Sequence, residues 1–102
     1  MRPVNLNVTY VYLIDDSLGL SKGKIAAQVS HVAMELADEY KELGRAIVLK
    51  ADHETIMKLF KYPSVKYICD AGLNEVPAGT LTCIGFKQTP FMKKFTDGLK
   101  LV

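Results

Sequence analysis

Asn7–Ile14, NVTYVYLI, is the stretch that leaves the fewest folds open. It is crowded with β-branched and aromatic residues, which predicts a buried strand in the centre of a sheet. A strand of that kind needs cover, and the next segment supplies it. After the turn residues of Asp15–Leu20, Ile25, Val29, Val32, Leu36, Tyr40 and Leu43 recur at steps of three and four. That spacing predicts a helix from about Lys22 to Leu43. Lys24, Gln28, His31, Glu35, Asp38 and Glu42 make a second, polar stripe, and Ala26, Ala27, Ser30 and Ala33 are small enough to let the helix sit close on a sheet. Ser21 suits the N-cap and Gly44 the C-terminal stop.

The remaining elements follow in order. Ala46–Ala51 reads as a second strand, and Asp52 as the cap of a short helix over His53–Phe60 with Ile56, Leu59 and Phe60 facing in. Tyr62-Pro63 ends that helix. Val65–Cys69 is a third strand, Ala71–Gly79 a turn-rich connection, and Thr80–Phe86 a fourth strand. Thr89-Pro90 opens a last helix, with proline at its first position, ending near Gly98. Strand, helix, strand, helix, strand, strand, helix predicts an α/β fold: a small four-stranded mixed β-sheet with helices on both faces. The last two strands are joined without a helix, so they should be antiparallel neighbours.

Composition narrows the function. A chain of 102 residues, 49% hydrophobic, is one domain with ample apolar material for a core. A net charge of +2 calls for a local basic patch, not an overall field, if nucleic acid is the partner. Residues 1–7 lack the basic start and long apolar run of a signal peptide. No stretch approaches the ~20 apolar residues of a membrane span. The expected location is the cytoplasm. Cys69 and Cys83 lie in apolar strands without metal-ligand spacing and read as buried free thiols. Neither a zinc motif nor a Gly-x-Ser-x-Gly elbow occurs, so metal-dependent and serine-triad hydrolysis are not suggested, and no cofactor is expected.

The stretch with most chemistry is Ser21–Val32, SKGKIAAQVSHV. Lysines at a helix N-terminus oppose the helix dipole, so Lys22 and Lys24 point to a negatively charged third party. Free N–H groups flanked by lysines make a natural phosphate site. Lys24 shares a helix face with Gln28 and His31, where it serves a site or pairs with an acid. His31 has the ordinary pKa range for acid–base work, or is a hydrogen-bonded structural histidine. Gln28 bonds substrate or a backbone carbonyl. Asp70 ends a strand, where α/β proteins hold site residues. It orients water or a lysine, or else caps the turn at Gly72 or Leu73. Lys87, Lys93, Lys94 and Lys100 add basic surface, a phosphate track if the last helix comes near the lysine loop and a solvated face if it does not. His53 reads as a structural or surface residue.

Lys22-Gly23-Lys24-Ile25-Ala26-Ala27-Gln28 with Ser30-His31, then Asp70-Ala71-Gly72, then Gly79–Gly85 (GTLTCIG), then Leu99-Lys100-Leu101, resembles the class II peptidyl-tRNA hydrolases, the archaeal and eukaryotic type. The resemblance runs over roughly residues 8–102. It implies the same α/β architecture, a single domain over 1–102, and hydrolysis of the ester joining peptide to tRNA without metal or cofactor. Such a site must position water, polarise a carbonyl and stabilise an oxyanion. On this resemblance Lys22 and Asp70 are the essential catalytic pair, supported by Thr82, His31 and Asn74. Lys22, Lys24, Gln28, Lys87, Lys93 and Lys94 would meet the tRNA. A homodimer is also implied, and Phe91, Phe95 or exposed helix residues could form its contact. Family members carry an extra helical segment between the first helix and second strand, and this chain is a compact version.

The pattern is broken around the site. Leu73, Asn74 and Glu75 stand where the family has arginine, threonine and glutamine, so one cation is lost and one negative charge gained. Ser21 replaces a glycine, Asp15-Asp16-Ser17 takes the place of an arginine and later aspartate, and Phe86-Lys87-Gln88 replaces a loop rich in glycine and proline. Three functions fit such a sequence: a peptidyl-tRNA esterase, a non-catalytic tRNA-, anion- or protein-binding module, and a hydrolase of another small ester.

Overall fold

The computed structural model describes residues 3–102; of the leader reading over residues 1–7, positions 1 and 2 lie outside the described residues. Four strands form one sheet in the order β2-β1-β4-β3: β1 (Asn5–Asp15), β2 (Gly44–Ala51), β3 (Lys66–Cys69) and β4 (Leu81–Lys87). β1 pairs with β2 in parallel and with β4 antiparallel, and β3 and β4 are antiparallel neighbours as expected. The first strand is interior, in keeping with its composition. Three helices accompany the sheet: α1 (Lys22–Tyr40), α2 (His53–Phe60) and α3 (Pro90–Thr96). A single 3-10 turn, Asp16–Leu18, follows β1.

Side-chain alternation along β1 divides the interior in two. Val11 and Leu13 enter a cluster with Leu49, Ile84 and Phe86, covered by Ile56 and Leu59 of α2 and Met92 of α3. Tyr10, Tyr12 and Ile14 enter the other, covered by Val32 and Leu36 of α1. α1 therefore lies on one face of the sheet and α2 with α3 on the opposite one. Gly85 permits the approach of α1: a Cβ there would stand 2.6 Å from Val32 Cγ1 and 2.9 Å from Tyr12 Cδ1.

Each helix starts on a side-chain cap that takes an otherwise orphan N–H. Ser21 Oγ accepts from Lys24 N at 3.2 Å, Asp52 Oδ1 from Thr55 N at 2.7 Å, and Thr89 Oγ1 from Met92 N at 3.1 Å. The C-terminal end of α1 corrects the expectation. The helix stops at Tyr40, and Lys41, not Gly44, takes the left-handed conformation at φ +55°. Gly44 begins β2, its Cα so near the neighbouring strand that a Cβ would meet Val8 O at 2.7 Å. Leu43 accordingly lies outside the helix and is exposed.

Beyond α3, Lys50 N donates to Lys100 O at 2.8 Å and Val102 N to Val48 O at 3.0 Å. The closing residues thus lie along the outer edge of β2, with Leu101 opposite Leu49. Cys83 is a buried thiol, as expected, and burial pushes its pKa up to about 12. Cys69 is not buried. β3 is an edge strand with alternating half-buried and exposed positions, and Cys69 falls on an exposed one. Among the described residues, no helix is long and apolar enough to cross a membrane.

Candidate functional site

The site forms where the first turns of α1 cross the ends of β3 and β4. Helix geometry decides which lysine takes part. Residues 22 and 24 are about 200° apart around an α-helix, so only one of them meets the sheet at this point, and it is Lys24. Its Nζ lies 2.7 Å from Asp70 Oδ1, with the two side chains 13% and 5% exposed. Lys22, expected as the partner of Asp70, is exposed and lines a different groove, with Ile25, Val48 and Leu101 on the β2 side of α1.

One helical turn beyond Lys24, Gln28 is buried against the sheet in line with Val32 and Leu36. The polar stripe anticipated along α1 therefore turns inward at its N-terminal end. Gln28 Nε2 donates to Asp70 Oδ1 at 3.2 Å and to Thr82 Oγ1 at 2.7 Å. Thr82, fully buried on β4, also lies 3.4 Å from Ile68 O of β3, to which its hydroxyl donates. Asp70 Oδ2 accepts the Gly72 N–H at 2.8 Å, and Gly72 sits at φ +81° with Ala78 where a Cβ would point. Asp70 thus contacts a lysine with one oxygen and caps its own turn with the other.

This arrangement fixes the charge state. The Lys24 ammonium, the Gly72 N–H and the Gln28 amide hold Asp70 below the ordinary carboxylate range, against the opposing effect of burial. An ionised carboxylate has about four lone-pair positions, and three are taken. That leaves about one position with which a carboxylate lining a cleft can accept from a water molecule. Lys24, which has three N–H donors and uses one on Asp70, lines the same cleft. Asp70, Lys24 and Gln28 line a cleft of about 310 Å³ together with His31, Ile68 and Leu73. An acceptor for water beside donors for an oxyanion is the minimal equipment for cleaving an activated carbonyl.

The other anticipated residues are placed as follows. His31 is exposed on the cleft wall and stands apart from the hydrogen-bonded set. Asn74 is exposed in the loop after β3, and its backbone oxygen accepts from Val76 N at 2.7 Å. It does not join Asp70, Gln28 and Thr82, because the turn carries it outward past Gly72. Lys87 is at the far end of β4, 3.3 Å from Glu42 and over the Tyr40 ring. Lys93 and Lys94 are on α3, across the sheet from α1, so no continuous track joins them to Lys24. His53 is bound through Nδ1 to the buried Asp15 at 3.0 Å, in agreement with its structural reading.

One pair was not foreseen. Glu75, read from the sequence as an added repulsive charge, accepts from Ser21 N at 2.8 Å and from Ser21 Oγ at 2.7 Å. These bonds, and the nearby Lys24 charge, hold its carboxyl below the ordinary range, while Asp70 opposes them. Positions 21 and 75, where the resemblance leads one to expect a glycine and a glutamine, thus meet each other. They are 54 residues apart in the chain, and no local spacing links them.

The family model described as peptidyl-tRNA hydrolase PTH2 matches residues 8–102. The chain is 36% identical to a peptidyl-tRNA hydrolase of Thermococcus sibiricus, over 90% of this chain and 95% of the relative. It is 33% identical to one of Staphylothermus marinus, over 96% and 98%. It is 32% identical to the mitochondrial peptidyl-tRNA hydrolase 2 of Bos taurus, over 89% of this chain and 62% of the relative.

Proposed function

The chain belongs to the peptidyl-tRNA hydrolase PTH2 family, and from that premise we propose that Lys24, Asp70, Gln28 and Thr82 are where its reaction takes place. The reaction is hydrolysis of the ester bond of peptidyl-tRNA, releasing peptide and tRNA. The observation that carries the assignment is the 2.7 Å contact of Lys24 with Asp70 at the mouth of the cleft. Asp70, kept ionised, orients the attacking water through its remaining lone pair. Its depressed pKa makes it a weak base, so orientation is its main contribution. Lys24 stabilises the negative charge that gathers on the carbonyl oxygen. Gln28 and Thr82 act through Asp70, as positioning residues behind it. His31, on the open side, faces the departing ribose oxygen, which takes up the proton released by the water.

The tRNA contact begins at the exposed Lys22 beside the cleft. Recognition by shape and by the acceptor end suits a protein with so little excess charge. A peptidyl-tRNA substrate means work alongside translation, and the location proposed is the cytoplasm. A homodimer would use the patch of Tyr62, Phe91 and Phe95, whose rings stack edge to face at 5.4 and 5.6 Å and leave Phe91 45% exposed.

The test is single-turnover cleavage of an N-acetylaminoacyl-tRNA with chelator present throughout. The wild type is expected to cleave it. Asp70→Asn is expected to lose about 10²-fold or more in rate, with a circular-dichroism melt showing a folded domain. A folded Asp70→Asn protein with undiminished turnover removes Asp70 from the mechanism.

A further inference from the structure

The loop after β3 is pinned at its base and at its middle. At the base Gly72 N donates to Asp70 Oδ2 at 2.8 Å, and Gly79 N to Asp70 O at 2.7 Å. At the middle Glu75 grips Ser21 through two hydrogen bonds. It does so at φ +60°, a left-handed conformation seldom adopted by a residue with a side chain. Ser21 cannot shift freely to follow the loop, because its own Oγ accepts from Lys24 N and so belongs to the start of α1. Between the pins stand Leu73 and Asn74. Leu73 is 89% exposed and lines the cleft whose polar end is Lys24 and Asp70.

A single exposed leucine signifies nothing by itself. This one is on a loop held at its base by the catalytic aspartate and at its middle by the cap of the catalytic helix, and it overlooks the cleft of the reaction. We infer that Leu73 is a specificity-determining residue of this hydrolase, taking the side chain of the amino acid esterified to the tRNA, and that Glu75 is the positioning residue that presents it. The inference rests on the site assigned above. With the ester carbonyl at Lys24, the groups that flank it are the acyl residue and the terminal nucleoside. A base is taken by stacking on a ring or a guanidinium plane, and Leu73 offers neither. Its aliphatic surface, continued by Ala27, Ile68 and Ala71, matches an apolar side chain instead.

The experiment uses one tRNA charged with either N-acetylleucine or N-acetylglycine, and compares kcat/KM for the two esters. The wild type is expected to prefer the leucyl ester. Leu73→Ser, a change at an exposed position, is expected to reduce that preference by ~10-fold. Glu75→Ala should reduce it as well, by releasing the loop, and Glu75→Gln, which keeps an oxygen for the Ser21 N–H, should restore it. Cleavage of both esters with a ratio that Leu73→Ser leaves unmoved, or with equal losses on both, overturns the role of Leu73. An unmoved ratio in a folded Glu75→Ala protein overturns the clamp. Failure of the wild type on both esters overturns the assigned reaction, and this inference with it.

Discussion

The two faces of the sheet are built on different terms. On the α2–α3 side the cluster is apolar throughout, ten buried residues from Val11 to Met92. On the α1 side six buried residues make the cluster, and the line of α1 that would extend it ends in Gln28, bonded to Asp70 and Thr82. Every buried side-chain nitrogen or oxygen among the described residues has a hydrogen-bond partner, so the polar end of that face does not lie open to a desolvation penalty. One face supplies stability through apolar area, which tolerates no loss of volume. The other gives up part of that area to hold a carboxylate and an ammonium at fixed positions. A chain of this length accommodates a site by confining it to one end of one face.

The sharpest way to test this division is to damage each side and read both stability and turnover. Phe86→Ala, on the apolar face, is expected to lower unfolding free energy by ~3–5 kcal/mol in urea titration. The fully buried ring leaves a cavity that Leu13 and Ile84 are too well packed to fill. Lys24→Met, on the polar face, is expected to lower kcat by ~10²-fold. Lys22→Met, the same change two residues earlier, should affect KM by only a few fold and make it less dependent on salt. Equal losses in kcat for the two lysine variants would return Lys22 to the catalytic role read from the sequence.

The smallest effect is on pH. Asp70 has its folded pKa lowered from the ordinary 3.8, first of all by Lys24. A depressed carboxylate contributes stability that is complete above its unfolded value and is lost as pH falls through the folded value. Thermal melts should therefore show the full and unchanging contribution of Asp70 between about pH 5 and about pH 8, and its progressive loss only as pH falls below 3.8. Removing Lys24 should move both this loss and any acid limb of turnover to higher pH. A wild-type protein that loses turnover with a carboxylate pKa above the ordinary value would contradict the assignment.

Much of this molecule was legible before its coordinates. Turn residues, caps and the period of apolar positions placed every helix start and the order of strands, because those signals are local. Asp70 was singled out by its place at a strand end. The choice between Lys22 and Lys24 was not legible, since it depends on the azimuth of α1 over the sheet and the apolar stripe fixes that only to within a broad arc. Gln28, expected to bond substrate or a backbone carbonyl, turns instead to Asp70 and Thr82, and the same azimuth decides it. Cys69 was misjudged because an apolar strand reads alike at the centre and at the edge of a sheet. The Ser21–Glu75 contact joins distant residues through a turn with a left-handed, non-glycine residue, and neither partner suggests the other.

The closing residues along β2 have a consequence for how the protein behaves in company. The outer strand of an open sheet is a template on which another chain can grow. Here that template is answered by the chain's own last residues, through Lys50 with Lys100 and Val48 with Val102. The guard is short and its side chains, Leu101 and Val102, are largely exposed, so it opens at far lower cost than the core. Peeling it back, by cleavage, a bulky fusion or crowding at high concentration, would uncover a parallel-paired strand with a free side on which a neighbouring chain could pair.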